Sequence, residues 1–169
     1  MAEGQRTRTL DREAAPRNSF ERSAKHHAEL RQRMQTGRVV IEADKQPWEQ
    51  TRQGLCRHYL CREADTGSVL YQWKVFIHDI RNHSGKHRHQ GGLVIYVIEG
   101  EGYTEVNDEK FEWEAGDLLL LPITPGGVVH KHYNKRPGQN CKWMAFIYRN
   151  YSDAIGYYLE QKENSPDFK

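Results

Sequence analysis

The sequence has few cysteines, no long apolar run and little net charge, and each shortage excludes a class of protein. The three cysteines form no C-x-x-C pair, which argues against a disulfide framework and favours reduced thiols. No apolar run approaches the roughly 18 residues that a membrane-spanning helix needs, and no hydrophobic signal segment opens the chain. The net charge of +2 is too small to predict a nucleic-acid-binding surface. We therefore expect a cytoplasmic protein that binds neither membrane nor nucleic acid.

Large apolar residues are also scarce in the first 38 residues, although they are dense in residues 69–148. This contrast predicts one compact core preceded by a polar segment. Three parts are expected: a polar N-terminal arm and helix in residues 1–38, a β-barrel in residues 39–150, and a C-terminal helix and tail in residues 151–169.

Helices are expected only near the two ends of the chain. Residues 1–18 are charged and lack apolar periodicity, which predicts a flexible arm. Ser19 is expected to cap a helix that ends at Gly37. A short amphipathic helix is expected from about residue 152 to residue 161.

Between these helices, short apolar runs alternate with turn residues. Asn107 and Asp108 separate two such runs and predict a hairpin turn. Many short strands at even spacing predict an all-β fold, an antiparallel barrel or sandwich. The predicted strands cover residues 39–42, 55–61, 69–80, 92–99, 102–106, 110–114, 118–121, 128–133 and 142–148.

Four histidines form two H-x-H pairs, His87 with His89 and, about forty residues later, His130 with His132. Side chains alternate between the faces of a strand, so the two members of each pair share a face. Two neutral imidazoles on a rigid strand provide half of a site for Fe, Zn, Ni or Cu. Because burying unpartnered imidazoles is costly, we predict that the two strands converge on one metal ion.

The strand that follows His89 has two apolar faces. If His87 and His89 face the interior, the odd-numbered residues 93–97 do so too, and the even-numbered residues 94–98 face outward. An apolar outer face needs a cover. A second copy of the chain is preferred over the N-terminal segment for this role, which predicts a homodimer.

Over roughly residues 50 to 150 the chain resembles the cupin family. His87, His89 and Gly100 match the first cupin motif, and the second motif is matched by Gly116, Pro122, His130 and Asn134, with extra residues between Pro122 and His130. The resemblance implies a single cupin, that is, a double-stranded β-helix or jelly-roll barrel, with an N-terminal helix and a short C-terminal helix.

Leu93 stands where the first motif has a glutamate, so the usual carboxylate ligand is missing. In this respect the chain is similar to gentisate-type ring-cleaving dioxygenases, which hold Fe(II) by three histidines. The resemblance implies Fe(II), with Zn, Mn or Ni as alternatives, held by His87, His89 and His130. His132 then lies beside the site, or replaces His130 as the ligand.

Three neutral imidazoles leave about three positions of an octahedral ion open and leave its 2+ charge uncancelled. Such a centre suits an anionic chelating substrate and O2. Substrate recognition would need a cation, and the candidates are Arg57, Arg81, Lys131 and Lys142. The candidates for substrate binding are Arg57, Arg81 and Trp143. The candidates for catalysis are His132, Tyr96 and His78, and His58 is expected near the site or on the outer face of its strand.

These features predict a mononuclear non-haem Fe(II) dioxygenase that cleaves a C–C bond of a small hydroxy-aromatic or enol substrate. One alternative is a non-redox metallo-cupin, an isomerase, lyase or decarboxylase, in which the metal acts as a Lewis acid. A second alternative is a non-enzymatic cupin that binds a small molecule.

Overall fold

The fold is known from a computed structural model, which describes residues 18–169. These residues form two compact units, one made of residues 18–39 and 67–69 and the other of residues 40–66 and 70–169. In the described part of the chain, no helix is both long and apolar enough to cross a membrane. The predicted arm falls almost entirely on residues outside this part. The boundaries of the three predicted parts stay predictions.

The first unit is built on helix α1, Ser19–Thr36. Asn18 caps it by accepting a hydrogen bond from the Glu21 amide at 3.0 Å, so the cap lies one residue before the predicted Ser19. The predicted end is confirmed, because the Gly37 amide donates to the Arg33 carbonyl at 2.8 Å. No residue of α1 is buried.

The second unit consists of antiparallel strands in two sheets, which confirms the all-β prediction. Its strands are β1 (Trp48–Thr51), β2 (Gly54–Leu60), β3 (Trp73–Asp79), β4 (Lys86–His89), β5 (Leu93–Glu99), β6 (Glu101–Val106), β7 (Glu109–Glu114), β8 (Leu118–Leu121), β9 (Val128–Asn134), β10 (Lys142–Tyr148) and β11 (Glu160–Glu163). The first sheet has the order β1-β2-β3-β10-β5-β8, and the second has the order β11-β4-β9-β6-β7. A short helix α2, Arg149–Ala154, follows β10, and a 3-10 helix, Ala43–Lys45, precedes β1.

Strand β5 supplies the centre of the apolar core. Its odd-numbered residues Leu93, Ile95 and Val97 are buried, and the even-numbered residues between them are about two-fifths exposed, as the alternation predicted. The outer face of β5 is thus apolar and partly exposed, and the homodimer that would cover it stays a prediction. The hairpin between β6 and β7 is also confirmed, since Asn107 and Asp108 both adopt positive φ angles, 49° and 71°.

Three local predictions were wrong. Residues 39–42 form no strand, because Val39 and Val40 are exposed and have no partner strand to stabilise their β conformation. The strand predicted from residue 69 begins only at Trp73. The C-terminal helix is shorter and earlier than predicted: it ends at Ala154, and Gly156 follows with a left-handed φ of 66°.

The residues after Gly156 form strand β11, which was not predicted. In β11, Glu160 pairs with Arg88 and Gln161 pairs with His87 of β4. The four-residue segment E-Q-K-E has no apolar alternation, so nothing local marks it as a strand. Its conformation is set by the open edge of β4, which needs hydrogen-bond partners.

The three thiols are expected to differ sharply in reactivity. Burial raises the pKa of Cys56 to about 11 and that of Cys141 to about 12, so both stay protonated at pH 8. Cys61 is partly exposed. In the folded protein, we expect a thiol reagent at pH 8 to label Cys61 alone within minutes, and all three after unfolding. The labelling rate of each cysteine is measured by mass spectrometry of the peptides. Equal labelling rates at the three cysteines of the folded protein would contradict this expectation.

Candidate metal centre

Pairing of β4 with β9 brings three of the four H-x-H histidines together. His87 and His89 share the inner face of β4, and the antiparallel register sets His130 of β9 opposite His87. One ring nitrogen from each of these three histidines lies within 4.8 Å of those of the other two. Within residues 18–169, this is the group of side chains that is suited to hold a metal ion.

All three imidazoles are buried, and burial keeps them neutral. Desolvation of the charged form lowers the pKa of His87 to about 4 and that of His89 to about 3. The pKa of His130 is lowered well below its usual range by burial first and then by the neighbouring histidines. At neutral pH the three rings are therefore uncharged and offer lone pairs, as metal binding requires.

The hydrogen bonds of the three rings test whether a metal fits among them. Neither ring nitrogen of His130 has a hydrogen-bond partner of normal geometry in the described chain, although the Val128 backbone lies near enough to act on its pKa. Such a pair of orphaned nitrogens on a side chain only 1% exposed is costly unless a ligand satisfies one of them. His87 Nδ1 lies 3.3 Å from the Gly85 carbonyl, a partner that suits an Nδ1–H and leaves Nε2 with its lone pair.

His89 fits a metal with one adjustment. The Gly91 amide donates to its Nδ1 at 2.9 Å. Coordination through Nε2 leaves the proton of a neutral ring on Nδ1, so this hydrogen bond would open or the ring would turn on metal binding. The donor set as a whole, three neutral imidazole nitrogens, suits Fe, Zn, Ni or Cu, and it does not select among them.

His132 is buried close to the three-histidine cluster but is held by other groups. Its Nδ1 lies 2.7 Å from the Thr104 hydroxyl, which also accepts a hydrogen bond from the Trp113 indole at 2.9 Å. The Thr104 hydroxyl accepts from the indole with one lone pair and keeps its hydrogen and a second lone pair, so its contact with His132 Nδ1 suits either tautomer of the neutral ring. The contact holds the His132 ring in place whichever nitrogen carries the proton.

A cavity of about 220 Å³ opens beside the cluster. It receives side chains from both sheets, and its wall combines neutral histidines with apolar side chains. Besides the three clustered histidines, its lining includes His58, His78, His132, Trp143, Phe76, Leu93, Lys74 and Tyr157. Burial lowers the pKa of His78 to about 3, so this ring is neutral as well.

The structure brings only some of the other predicted site residues to this cavity. His78, His132 and Trp143 line it. Tyr96 does not, because it points outward from β5 and is 44% exposed. Arg81 is exposed in the loop after β3, and the Arg57 guanidinium lies over the Trp48 ring at 4.4 Å, away from the cavity lining.

The two lysines considered for substrate recognition are engaged elsewhere. The Lys131 side chain is 7% exposed, and its ammonium pairs with Glu163 of β11 at 2.7 Å. Its partner therefore comes from the strand that was not predicted, which lies two strands from β9 in the same sheet. Lys142 pairs with Glu99 at 3.0 Å and does not line the cavity.

Three residues near the cluster were not predicted as site residues from the sequence. Thr104 carries no sequence signal, because its role depends on the register that sets it opposite His132. Tyr157, whose ring lies 5.5 Å from that of His89, follows Gly156 in a segment expected to be helical. Lys74 was recognisable, since residues 74, 76 and 78 share one face of β3 and His78 was already a candidate.

Two antiparallel sheets with a buried cluster of three neutral histidines define a β-sandwich protein with a candidate metal centre. Residues 78–147 match the family model described as a cupin domain. The chain therefore contains a cupin domain with a three-histidine cluster, and the cupin resemblance seen in the sequence is confirmed. The match includes His87, His89 and His130 and both strands that carry them.

Curated relatives match only short segments of the chain. It is 37% identical over 51 residues to an acireductone dioxygenase of Yarrowia lipolytica, which covers 27% of this chain and 28% of that protein. It is 47% identical over 47 residues to a gentisate 1,2-dioxygenase of a Ralstonia species, which covers 27% of this chain and 12% of that protein. The matched segments thus span well under half the length of these relatives, and both relatives are named as dioxygenases.

Solved structures agree on the fold. A salicylate 1,2-dioxygenase of Pseudoaminobacter salicylatoxidans with gentisate adducts aligns with a TM-score of 0.53 and 18% identity, over 79% of this chain and 36% of that one. PAC13 of Streptomyces with uridine aligns with a TM-score of 0.52 and 12% identity, over 75% of this chain and 92% of that one. PAC13 is described as a nucleoside dehydratase. At these identities the likeness concerns the fold alone.

Proposed function

We propose that this protein is a mononuclear non-haem Fe(II) dioxygenase that cleaves a C–C bond of a small hydroxy-aromatic or enol substrate. The observation that carries the proposal is the buried cluster of His87, His89 and His130 beside a cavity that no described carboxylate lines. A site without a carboxylate ligand leaves the 2+ charge of the metal available to an anionic substrate. The relatives named as dioxygenases support the same reaction class.

In this proposal, His87, His89 and His130 hold the metal through neutral imidazole nitrogens. The bound Fe(II) would supply a template for substrate and O2 and a path for electrons between them. Zn, Mn or Ni are the alternatives for the same three ligands. The low pKa of each ring means that metal loading at pH 7 displaces no proton from an imidazolium.

The other side chains of the cavity would bind and orient the substrate. Trp143 and Phe76 offer flat apolar surface for a ring, and their own rings are 5.7 Å apart in an edge-to-face arrangement. His132, held by Thr104, would offer a ring nitrogen to a polar group of the substrate. The His78 ring packs edge-to-face against Trp143, with the ring centroids 4.8 Å apart. His78 would therefore lie beside a substrate ring that packs on Trp143.

Two measurements on the same preparation test the proposal. The protein is purified anaerobically without added metal, and its metal content is determined. O2 uptake is then followed with hydroxybenzoates, catechols and β-diketones. We expect about one iron per chain, as for a mononuclear site, and O2 consumption only when a substrate is present. Iron without substrate-dependent O2 uptake from any of the three classes would contradict the dioxygenase assignment.

A second candidate function is a non-redox metallo-cupin, an isomerase, lyase or decarboxylase. It is favoured by the two further uncharged histidines in the cavity, His78 and His132, which would place hydrogen-bonding imidazoles beside a carbonyl group held by the metal. Zinc, manganese or nickel at about one ion per chain, with no O2 uptake, is the result expected for this class. A chain purified without metal, and unable to take it up, would instead be a small-molecule-binding cupin.

Leu93 provides a further test, because it lines the cavity at the position where a cupin glutamate would stand. Leu93→Glu adds a hard carboxylate beside the three imidazoles, and we expect the ratio of bound manganese to bound zinc to rise severalfold. Leu93→Gln is the matched control, since it has the same shape without the charge. Unchanged metal preference and unchanged O2 reactivity in Leu93→Glu would mean that Leu93 does not face the ion.

A further inference from the structure

We propose that Lys74 of β3 binds the anionic group of the substrate, and that the ligand of the histidine cavity is a small carboxylate. Among the described residues that line this cavity, Lys74 is the one with a permanent positive charge, and none carries a carboxylate. This inference rests on the proposed function, because it takes the histidine cavity to be the substrate site. Lys74 is not one of the four cations that the sequence suggested for substrate recognition.

Lys74 is available for this role because no other residue takes up its charge. No described carboxylate lies within ion-pair distance of its ammonium, and its nearest aromatic contact is the Phe76 ring at 5.5 Å. The four cations suggested by the sequence either have an ion-pair partner or lie outside the cavity. Lys131 and Lys142 form ion pairs with glutamates, and Arg57 and Arg81 lie outside the cavity lining.

The charge of Lys74 lies in the wall of the cavity that contains the histidines. Lys74, His58, His87 and His89 all line this cavity. A cation in a partly buried wall with no compensating carboxylate raises the local potential, and a bound 2+ ion would raise it further. An anion is the ligand that this potential attracts, and a second cation is the ligand that it rejects.

Two donors of the wall suit the same class of ligand. The indole N–H of Trp143 is buried and has no hydrogen-bond partner among the described residues. The Lys74 ammonium offers three N–H donors, and the buried Gln53 Oε1 is an unpartnered acceptor in the same wall of the described chain. A carboxylate can accept from Lys74 and Trp143, and a hydroxyl beside it can donate to Gln53. The volume of about 220 Å³ lies below the 300–1,000 Å³ of drug-sized pockets, which limits the ligand to a small molecule.

Lys74 also stands where a second cavity joins the first. Lys74, Ile147 and Tyr157 line both the histidine cavity and an outer cavity of about 130 Å³. The outer cavity contains Arg149, whose buried Nε has no hydrogen-bond partner in the described chain. The same outer cavity also contains Glu63 and the ion pair of Arg62 with Asp153, so its charges are mixed, and Lys74 is the cation that the two cavities share.

The test compares two probes that differ in charge at one group, salicylate and salicylamide, at pH 7. Binding to the protein as purified is measured anaerobically by calorimetry, so that no turnover is needed. For Lys74→Gln we expect the dissociation constant of salicylate to rise 10- to 100-fold, as for loss of a charged hydrogen bond, and that of salicylamide to stay unchanged. Lys74→Arg, which keeps the charge, should recover most of the salicylate affinity.

Lys142→Gln is the matched control, because it removes one lysine charge from the neighbouring strand outside the cavity. It should leave the affinities of both probes unchanged. Equal affinity of the unmodified protein for salicylate and salicylamide, or an unchanged preference for salicylate in Lys74→Gln, would overturn the role of Lys74. Failure of the proposed function would look different, namely preserved salicylate preference without iron or without O2 uptake.

Discussion

Replacing His130 by alanine is expected to lower the metal affinity of the protein by more than about 100-fold, since even residues that only support a ligand contribute 10- to 100-fold. His130 is 1% exposed, and neither of its ring nitrogens has a protein partner of normal geometry in the described chain, so no other group competes with a metal for it. Metal content after dialysis, measured by elemental analysis, should fall from about one ion per chain to a small fraction. O2 uptake should fall with it.

His132→Ala is the comparison that makes this result specific. His132 occupies the same strand face two residues away, but its Nδ1 contacts Thr104. We expect His132→Ala to retain metal while turnover falls, because it removes an imidazole from the cavity wall and leaves the three ligands intact. His26→Ala, on the exposed face of helix α1, should change neither. Metal loss in His132→Ala with retention in His130→Ala would reverse the assignment of the third ligand.

The second large effect is expected at Gly91, on stability. A Cβ atom at Gly91 would lie 1.8 Å from the Pro122 carbonyl oxygen and 2.7 Å from its carbon, and the φ angle of 84° is itself unfavourable for an L-residue. Since the obstacle is backbone, the chain must shift to admit a methyl group. We expect Gly91→Ala to lower the free energy of unfolding by roughly 3 kcal/mol or more, in the range that marks a steric conflict in a core.

Gly126→Ala separates the steric conflict from the backbone strain. Gly126 has nearly the same φ angle, 79°, but a Cβ there meets nothing within 4 Å. Its replacement should therefore cost only the left-handed conformation, about 1–2 kcal/mol. Chemical denaturation of both variants without metal gives the two values. Equal destabilisation would show that φ alone governs Gly91 and that the Pro122 loop yields easily.

Gly91 also links the stability of the fold to the metal centre. Its amide donates to His89 Nδ1, and the residue is confined between His89 and the loop at Pro122. A shift of this backbone would move His89 as well. Gly91→Ala is thus expected to weaken metal binding in the fraction of protein that still folds, whereas Gly126→Ala should not.

The residues of the candidate centre were largely readable from the sequence, because they follow a local rule. Two-residue periodicity put His87 with His89, and His130 with His132, on common strand faces, and the same rule placed the odd-numbered residues of β5 in the core. The same periodicity was available for Lys74, but its significance depended on a cavity whose walls come from distant strands.

Predictions failed where non-local contacts decide the conformation or the environment. Residues 39–42 have β-branched residues but no partner strand, and residues 160–163 have no strand pattern but pair with the open edge of β4. Lys131 has its ion-pair partner, Glu163, on the same unpredicted strand β11. Tyr96 was a catalytic candidate by type, and its position on the outer face of β5 removes it from the cavity.

The all-β class, the cupin resemblance and the four histidines from which a metal site can be built were all predicted before the strands were paired. These depend on strand alternation and motif spacing, which are properties of neighbouring residues. Two features became visible only in the folded chain: His130 faces His87 and His89 while His132 contacts Thr104, and Lys74 is the cation in the cavity wall. Both outcomes depend on strand register and on which distant strands meet, and these are fixed by the packing of the whole core.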